Sequence, residues 1–132
     1  MTLRELSQLY WLNKEIQEDT RRLQALRLRA ESVPSPADDG MPRGTEVHSR
    51  VERAAIEIVE LERIIADKRA RCIRERVRLE RYIASIDDSL TRQIFTGRFV
   101  EGLTWAEVAE YVGGNTEGSV KKICYRYLNG TD

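Results

Sequence analysis

Thr116, Glu117, Ser119, Lys121, Lys122 and Arg126 put hydroxyl, carboxylate and cationic groups on one short segment. Such groups hydrogen-bond and pair with charge; nothing beside them is arranged to make or break a covalent bond. Val120, Ile123, Cys124 and Tyr127 recur among them at three- and four-residue spacing, with Leu128 at the edge. That spacing predicts a helix over about 116–128 with one apolar face, so the polar side chains project from the other. Ser119 and Lys122 lie early enough in such a helix to reach base edges, and Lys121 and Arg126 suit phosphates. Glu117 either accepts from a cytosine amino group or complements the positive end of the helix.

The preceding residues supply the support that such a helix needs. Thr104 and Glu107 have capping-box spacing, which predicts a helix starting at Thr104. Trp105, Val108, Ala109 and Val112 form its apolar face, and Gly113 and Gly114 end it. Asn115 or Thr116 caps the next helix. A turn this short makes the two helices cross steeply, and Ala109 is small enough for the approach. The pattern is that of a helix-turn-helix, which lays its second helix in the major groove of DNA. Upstream, Asp87 is the expected cap of a helix carrying Leu90, Ile94, Phe95 and Phe99, closed by Gly102. The expected core is Phe95, Phe99, Trp105, Val108, Val112, Val120 and Ile123.

Charge sets a limit on this reading. From Asp87 onward, Arg92, Arg98, Lys121, Lys122 and Arg126 face Asp87, Asp88, Glu101, Glu107, Glu110, Glu117 and Asp132. A mildly acidic segment binds DNA weakly on its own, because phosphate neutralisation dominates affinity. A basic stripe elsewhere offers a remedy. Arg71, Arg74, Arg78 and Arg81 share one helix face. They either ride a phosphate backbone or pair with Glu15, Glu18 and Asp19 of the first helix.

Residues for covalent or metal chemistry are not grouped. His48 is the sole histidine, and Cys72 and Cys124 lie far apart. There is no nucleophile elbow, and Gly113-Gly114 reads as a turn, not a phosphate-cradling loop. No catalytic residue, cofactor or metal is expected, and the chain does not read as an enzyme.

The rest of the chain reads as scaffold. Thr2 and Glu5 form another capping box, and Leu6, Leu9, Leu12 or Asn13, Ile16, Leu23, Leu26 and Ala30 follow at near-heptad spacing. This predicts a helix from about Leu3 to Glu31, stopped by Pro34 and Pro36. Residues 33–45 read as a loop. Val51, Ile58, Ile65, Cys72, Leu79 and Ile86 then recur every seventh residue, interleaved with Val47, Ala54, Leu61, Lys68, Glu75 and Tyr82. A helix from Glu46 to Ala84 would run about 58 Å. A short loop makes the two helices antiparallel neighbours. The expected fold is therefore all-α: a long antiparallel coiled-coil hairpin over 1–86, then a small three-helix helix-turn-helix domain over 87–132. Tyr10 and Trp11 are expected to pack on that domain, in preference to serving as a self-association contact.

Composition agrees with long exposed helices. The 132 residues include 22 Lys+Arg and 22 Asp+Glu, are 33% charged and contain three prolines. No apolar run is long enough to span a bilayer, and no signal-peptide pattern is present. The two cysteines read as small apolar residues in a reducing compartment, which points to the cytoplasm and no disulfide.

Residues 87–128, with Arg98-Phe99-Val100-Glu101-Gly102-Leu103-Thr104-Trp105-Ala106-Glu107-Val108-Ala109 at their heart, resemble region 4 of sigma factors. The whole chain is similar to phage- and prophage-encoded proteins that join a helical hairpin, with a loop like Gly40-Met41-Pro42-Arg43-Gly44, to a sigma-region-4-like end. Phage late-gene transcription regulators of the ArpU and RinA type are similar in the C-terminal third. The resemblance implies double-stranded DNA binding through residues 116–128 in a bacterial host cell, and contact with RNA polymerase. A second copy of the chain is a further candidate partner, and a membrane is not. The competing expectations are a small terminase-like DNA-packaging subunit and a protein-binding helical module.

Overall fold

Thr2 and Glu5 close the expected capping box. Thr2 Oγ1 accepts the Glu5 N–H at 3.2 Å, and the Glu5 carboxylate accepts the Thr2 N–H at 3.2 Å. They start α1 (Leu3–Leu6), which gives way at Ser7 to α2 (Gln8–Glu31). In place of the expected single helix, a one-residue turn at Ser7 separates α1 from α2, and there the Ser7 N–H and hydroxyl both donate to the Leu3 carbonyl, at 3.0 and 2.8 Å. α3 (Gly44–Ala84) follows. This computed structural model describes residues 1–31 and 44–130, and every regular element among them is helical. The expected loop lies outside the described residues except for Gly44 and Thr45, which open α3. No helix among the described residues is long and apolar enough to cross a membrane.

The chain divides into two compact units. One is residues Lys14–Ala70. Within it Leu23, Leu61 and Ile65 are buried together, with Ile16, Leu26 and Ile58 packed around them. Lys68 approaches Asp19 at 2.6 Å and Arg27 approaches Glu62 at 3.0 Å, so the two helical segments run antiparallel. Lys68 occupies an apolar position of the seam pattern, and its partners explain how. Asp19, itself buried, and Glu15 at 3.5 Å take up its charge. The hydrogen bond to Asp19 holds Lys68 above the usual lysine range against partial desolvation.

The other unit is Met1–Asn13 with Arg71–Asp132. Its core gathers Leu6 and Leu9 from the first helices, Leu79 and Ile83 from α3, and Ile94, Phe95, Phe99, Trp105, Val108, Val120 and Cys124 from the rest. Five expected core residues, Phe95, Phe99, Trp105, Val108 and Val120, are buried, while Val112 and Ile123 are half-buried. This compact unit extends past the expected boundary at residue 86. Phe95 is fully buried, with ring centroids of Phe99 at 5.3 Å, Tyr127 at 5.4 Å and Tyr82 at 6.3 Å. Replacing Phe95 with Ala removes the ring that these residues surround. The expected loss is about 3–5 kcal/mol of unfolding free energy, measured by urea denaturation followed by circular dichroism.

Candidate nucleic-acid interface

The geometry leading to residues 116–128 is built from the end of α3 onward. Arg92 Nη1 donates to the carbonyls of Ile86 at 2.6 Å and Asp87 at 2.8 Å. The cap of α4 (Ser89–Phe95) is Asp88, not the expected Asp87. The Asp88 carboxylate accepts the Thr91 N–H at 3.0 Å and the Thr91 hydroxyl at 2.7 Å. Asp87 instead presents its carbonyl to Arg92.

The expected continuous helix to Gly102 widens into a π-helical turn over Thr96–Val100, where the Glu101 N–H reaches the Thr96 carbonyl at 3.0 Å. Gly97 is buried inside it, and a Cβ there would stand 3.3 Å from Tyr111 Cδ1. Arg98 then locks the following corner. Its Nη1 donates to the Leu103 carbonyl at 2.9 Å, and its guanidinium lies 4.6 Å from the Trp105 ring centroid.

α5 (Trp105–Val112) starts on the predicted capping box, Thr104 Oγ1 accepting the Glu107 N–H at 3.2 Å and Glu107 accepting the Thr104 N–H at 3.0 Å. Gly113 and Gly114 take φ of +72° and +64°, a region that L side chains rarely enter. Asn115 Nδ2 donates to the Gly113 carbonyl at 3.0 Å. Thr116 is the cap of α6 (Glu117–Leu128), accepting the Ser119 N–H at 3.1 Å. Of the two cap candidates, Asn115 therefore orders the turn and Thr116 caps the helix.

α6 buries Val120 and Cys124 and half-buries Ile123, Tyr127 and Leu128, as its spacing predicts. Burial pushes the Cys124 thiol up to about 12. Glu117, Lys121, Lys122 and Arg126 are exposed. Lys121 and Lys122 have no acidic partner among the described residues. Ser119 is half-buried, and its hydroxyl donates to Asn115 Oδ1 at 3.2 Å, which leaves its oxygen an acceptor. Thr116, Ser119, Lys121 and Lys122 line one open depression, which Gly118 and Tyr125 complete. Arg126 does not line it.

Gly118 and Tyr125 escaped the sequence reading. Tyr125 sits one turn beyond Lys121 on the same face, which was a usable signal. Gly118 was legible only as a poor helix former. In the structure a Cβ at Gly118 meets nothing within 4 Å, so no internal packing demands glycine there.

The basic stripe lies on α3. Arg71, Arg74, Arg78 and Arg81 are all exposed. Only Arg78 has acidic neighbours among the described residues, Glu5 at 4.0 Å and Glu75 at 3.8 Å. The acids Glu15 and Asp19 pair with Lys68 instead. Tyr10 and Trp11 meet edge to face at 5.1 Å and border a surface cavity with Arg98, Gly102 and Thr104. Both rings stay about half exposed. Among the described residues no His, Cys, Asp and Glu side chains cluster as a metal would require.

Comparison of the chain with protein-family models, curated proteins and solved structures returned no match.

Hydrogen bonds from Thr91 hold the Asp88 carboxyl below the usual carboxylate range, and those with Thr104 do the same for Glu107. A folded-state pKa below the unfolded one stabilises the fold above the ordinary carboxylate range. That stabilisation is lost as pH falls through the folded value. The urea midpoint should therefore drop as pH is lowered below about 4, and less steeply in a variant with Asp88→Asn and Glu107→Gln. At neutral pH, Thr104→Ala should cost about 1 kcal/mol through loss of the cap.

Proposed function

We propose that this chain is a DNA-binding transcriptional regulator of phage or prophage type. In this reading α5, the glycine turn and α6 form a sigma-region-4-like helix-turn-helix, and α6 enters the major groove. The helices over residues 1–86 serve as a coiled-coil hairpin scaffold, and the protein acts in the cytoplasm of a bacterial host. One observation carries the reading: the first two turns of α6 offer Lys121 and Lys122 without acidic partners among the described residues, beside an unhindered Gly118. A helical glycine with open space around it costs about 0.5–1 kcal/mol relative to alanine. Close approach of a ligand to the helix backbone gives that cost a reason.

The residues divide by role. Lys122 and the Ser119 acceptor face base edges, with Glu117 accepting from a cytosine amino group or completing the cap. Lys121 and Arg126 hold phosphates. Thr116 orders the helix start. Arg71, Arg74 and Arg81 supply further cationic charge on α3.

A second reading has one observation in its favour. Arg92 and Arg98 spend their donors on carbonyls of the protein itself, so the positive charge open to DNA is smaller than the sequence count suggests. That balance suits an additional protein partner, and RNA polymerase is the one that the sigma resemblance implies.

Selection from random duplexes should yield a preferred site. For that site, Lys122→Ala should weaken binding by about 1–3 kcal/mol and relax specificity. Lys121→Ala should weaken all duplexes alike and reduce the salt slope by about one. Gly118→Ala should raise thermal stability while weakening DNA binding. Retention of no duplex even at low salt sinks the proposal, and retention of polymerase without DNA favours the second reading.

A further inference from the structure

α3 is a single uninterrupted helix, and it is apolar on two sides. Besides the stripe containing Leu61, Ile65 and Leu79, it carries Ile56, Val59, Ala66, Ala70, Ile73 and Val77 on the side facing away from that stripe. Ile56, Val59, Ile73 and Val77 are 59%, 64%, 66% and 41% exposed. Their steps of three and four residues, with Arg63 the one polar member, make a second heptad seam about 32 Å long. Neither buried core of the molecule uses it.

The seam is self-complementary when reversed. Val59 and Ile73 lie seven residues to either side of Ala66, and Ile56 and Val77 lie ten before and eleven after it. Small residues, Ala66 and Ala70, stand at the centre, where two backbones would come closest. The flanking charges are segregated the same way. Glu60 and Glu62 lie toward one end, and Arg69, Arg74 and Arg76 toward the other, with Asp67 beside the centre. Glu60, Arg69 and Arg74 have no ion-pair partner among the described residues. A second α3 laid parallel would set Glu60 against Glu60 and Arg74 against Arg74. Laid antiparallel, it sets Glu60 beside the partner's Arg74, twice by symmetry.

We infer that this seam is a homodimer interface, in which the α3 helices of two copies pack antiparallel about a two-fold axis near Ala66. The occupant is a second copy because Ile56 and Val59 meet Val77 and Ile73 on reversal, small Ala66 stands at the axis, and Glu60 meets Arg74. The inference does not depend on DNA binding. Its consequence for that reading is a doubled set of cationic groups, which a weakly charged chain needs.

The test uses the full chain without DNA, by sedimentation equilibrium from about 1 to about 100 µM. A dimer is expected, and Ile73→Glu should convert it to monomer with an unchanged helical circular dichroism spectrum. Glu60→Arg and Arg74→Glu should each weaken self-association about tenfold. Mixing those two variants should produce heterodimer in preference to either homodimer, since each then meets an opposite charge at both positions. If Ile73→Glu unfolds the chain, the charge-reversal pair decides. A wild-type monomer across the range, a dimer untouched by a folded Ile73→Glu chain, or no preference on mixing overturns the inference.

Discussion

Helices of seven, eight and twelve residues cannot enclose a phenylalanine by themselves, and that constraint shapes the unit holding α4, α5 and α6. Phe95 is fully buried in a core that also holds Leu6, Leu9, Leu79 and Ile83. Val120 and Cys124 are drawn into the same core, and Lys121 and Lys122 are left outside by helical geometry. Residues 1–13 and the end of α3 from Arg71 are therefore part of the unit that carries α6.

Arginines divide into two populations that composition cannot separate. Arg92 ties down the chain after α3, and Arg98 ties the corner before α5 while lying against Trp105. Each spends charge to satisfy carbonyls that would otherwise lack donors. Arg71, Arg74 and Arg81 project outward with no acidic partner among the described residues. Lys68 belongs to the first group in spirit, since the Asp19 carboxylate lets a cation sit in an apolar seam. Net charge by segment thus misstates what a partner meets.

Local chemistry was legible from residue order alone. Both capping boxes, the turn glycines and the inward face of α6 depend on neighbours within four residues, so spacing reveals them. The apolar period marked Leu61 and Ile65 for burial, and the helical class followed from it. Where two neighbouring residues competed for one role, order was insufficient. Asp88, not Asp87, is the cap because its carboxylate is the one that accepts the N–H and hydroxyl of Thr91, three residues on. Tertiary packing decided the remainder. The π-helical turn sits where buried Gly97 has Tyr111 close against it. Which arginines remain outward, and which residues complete the Phe95 core, depend on groups brought together from distant parts of the chain. Periodicity specifies the face a residue takes on its own helix; only packing supplies what that face meets.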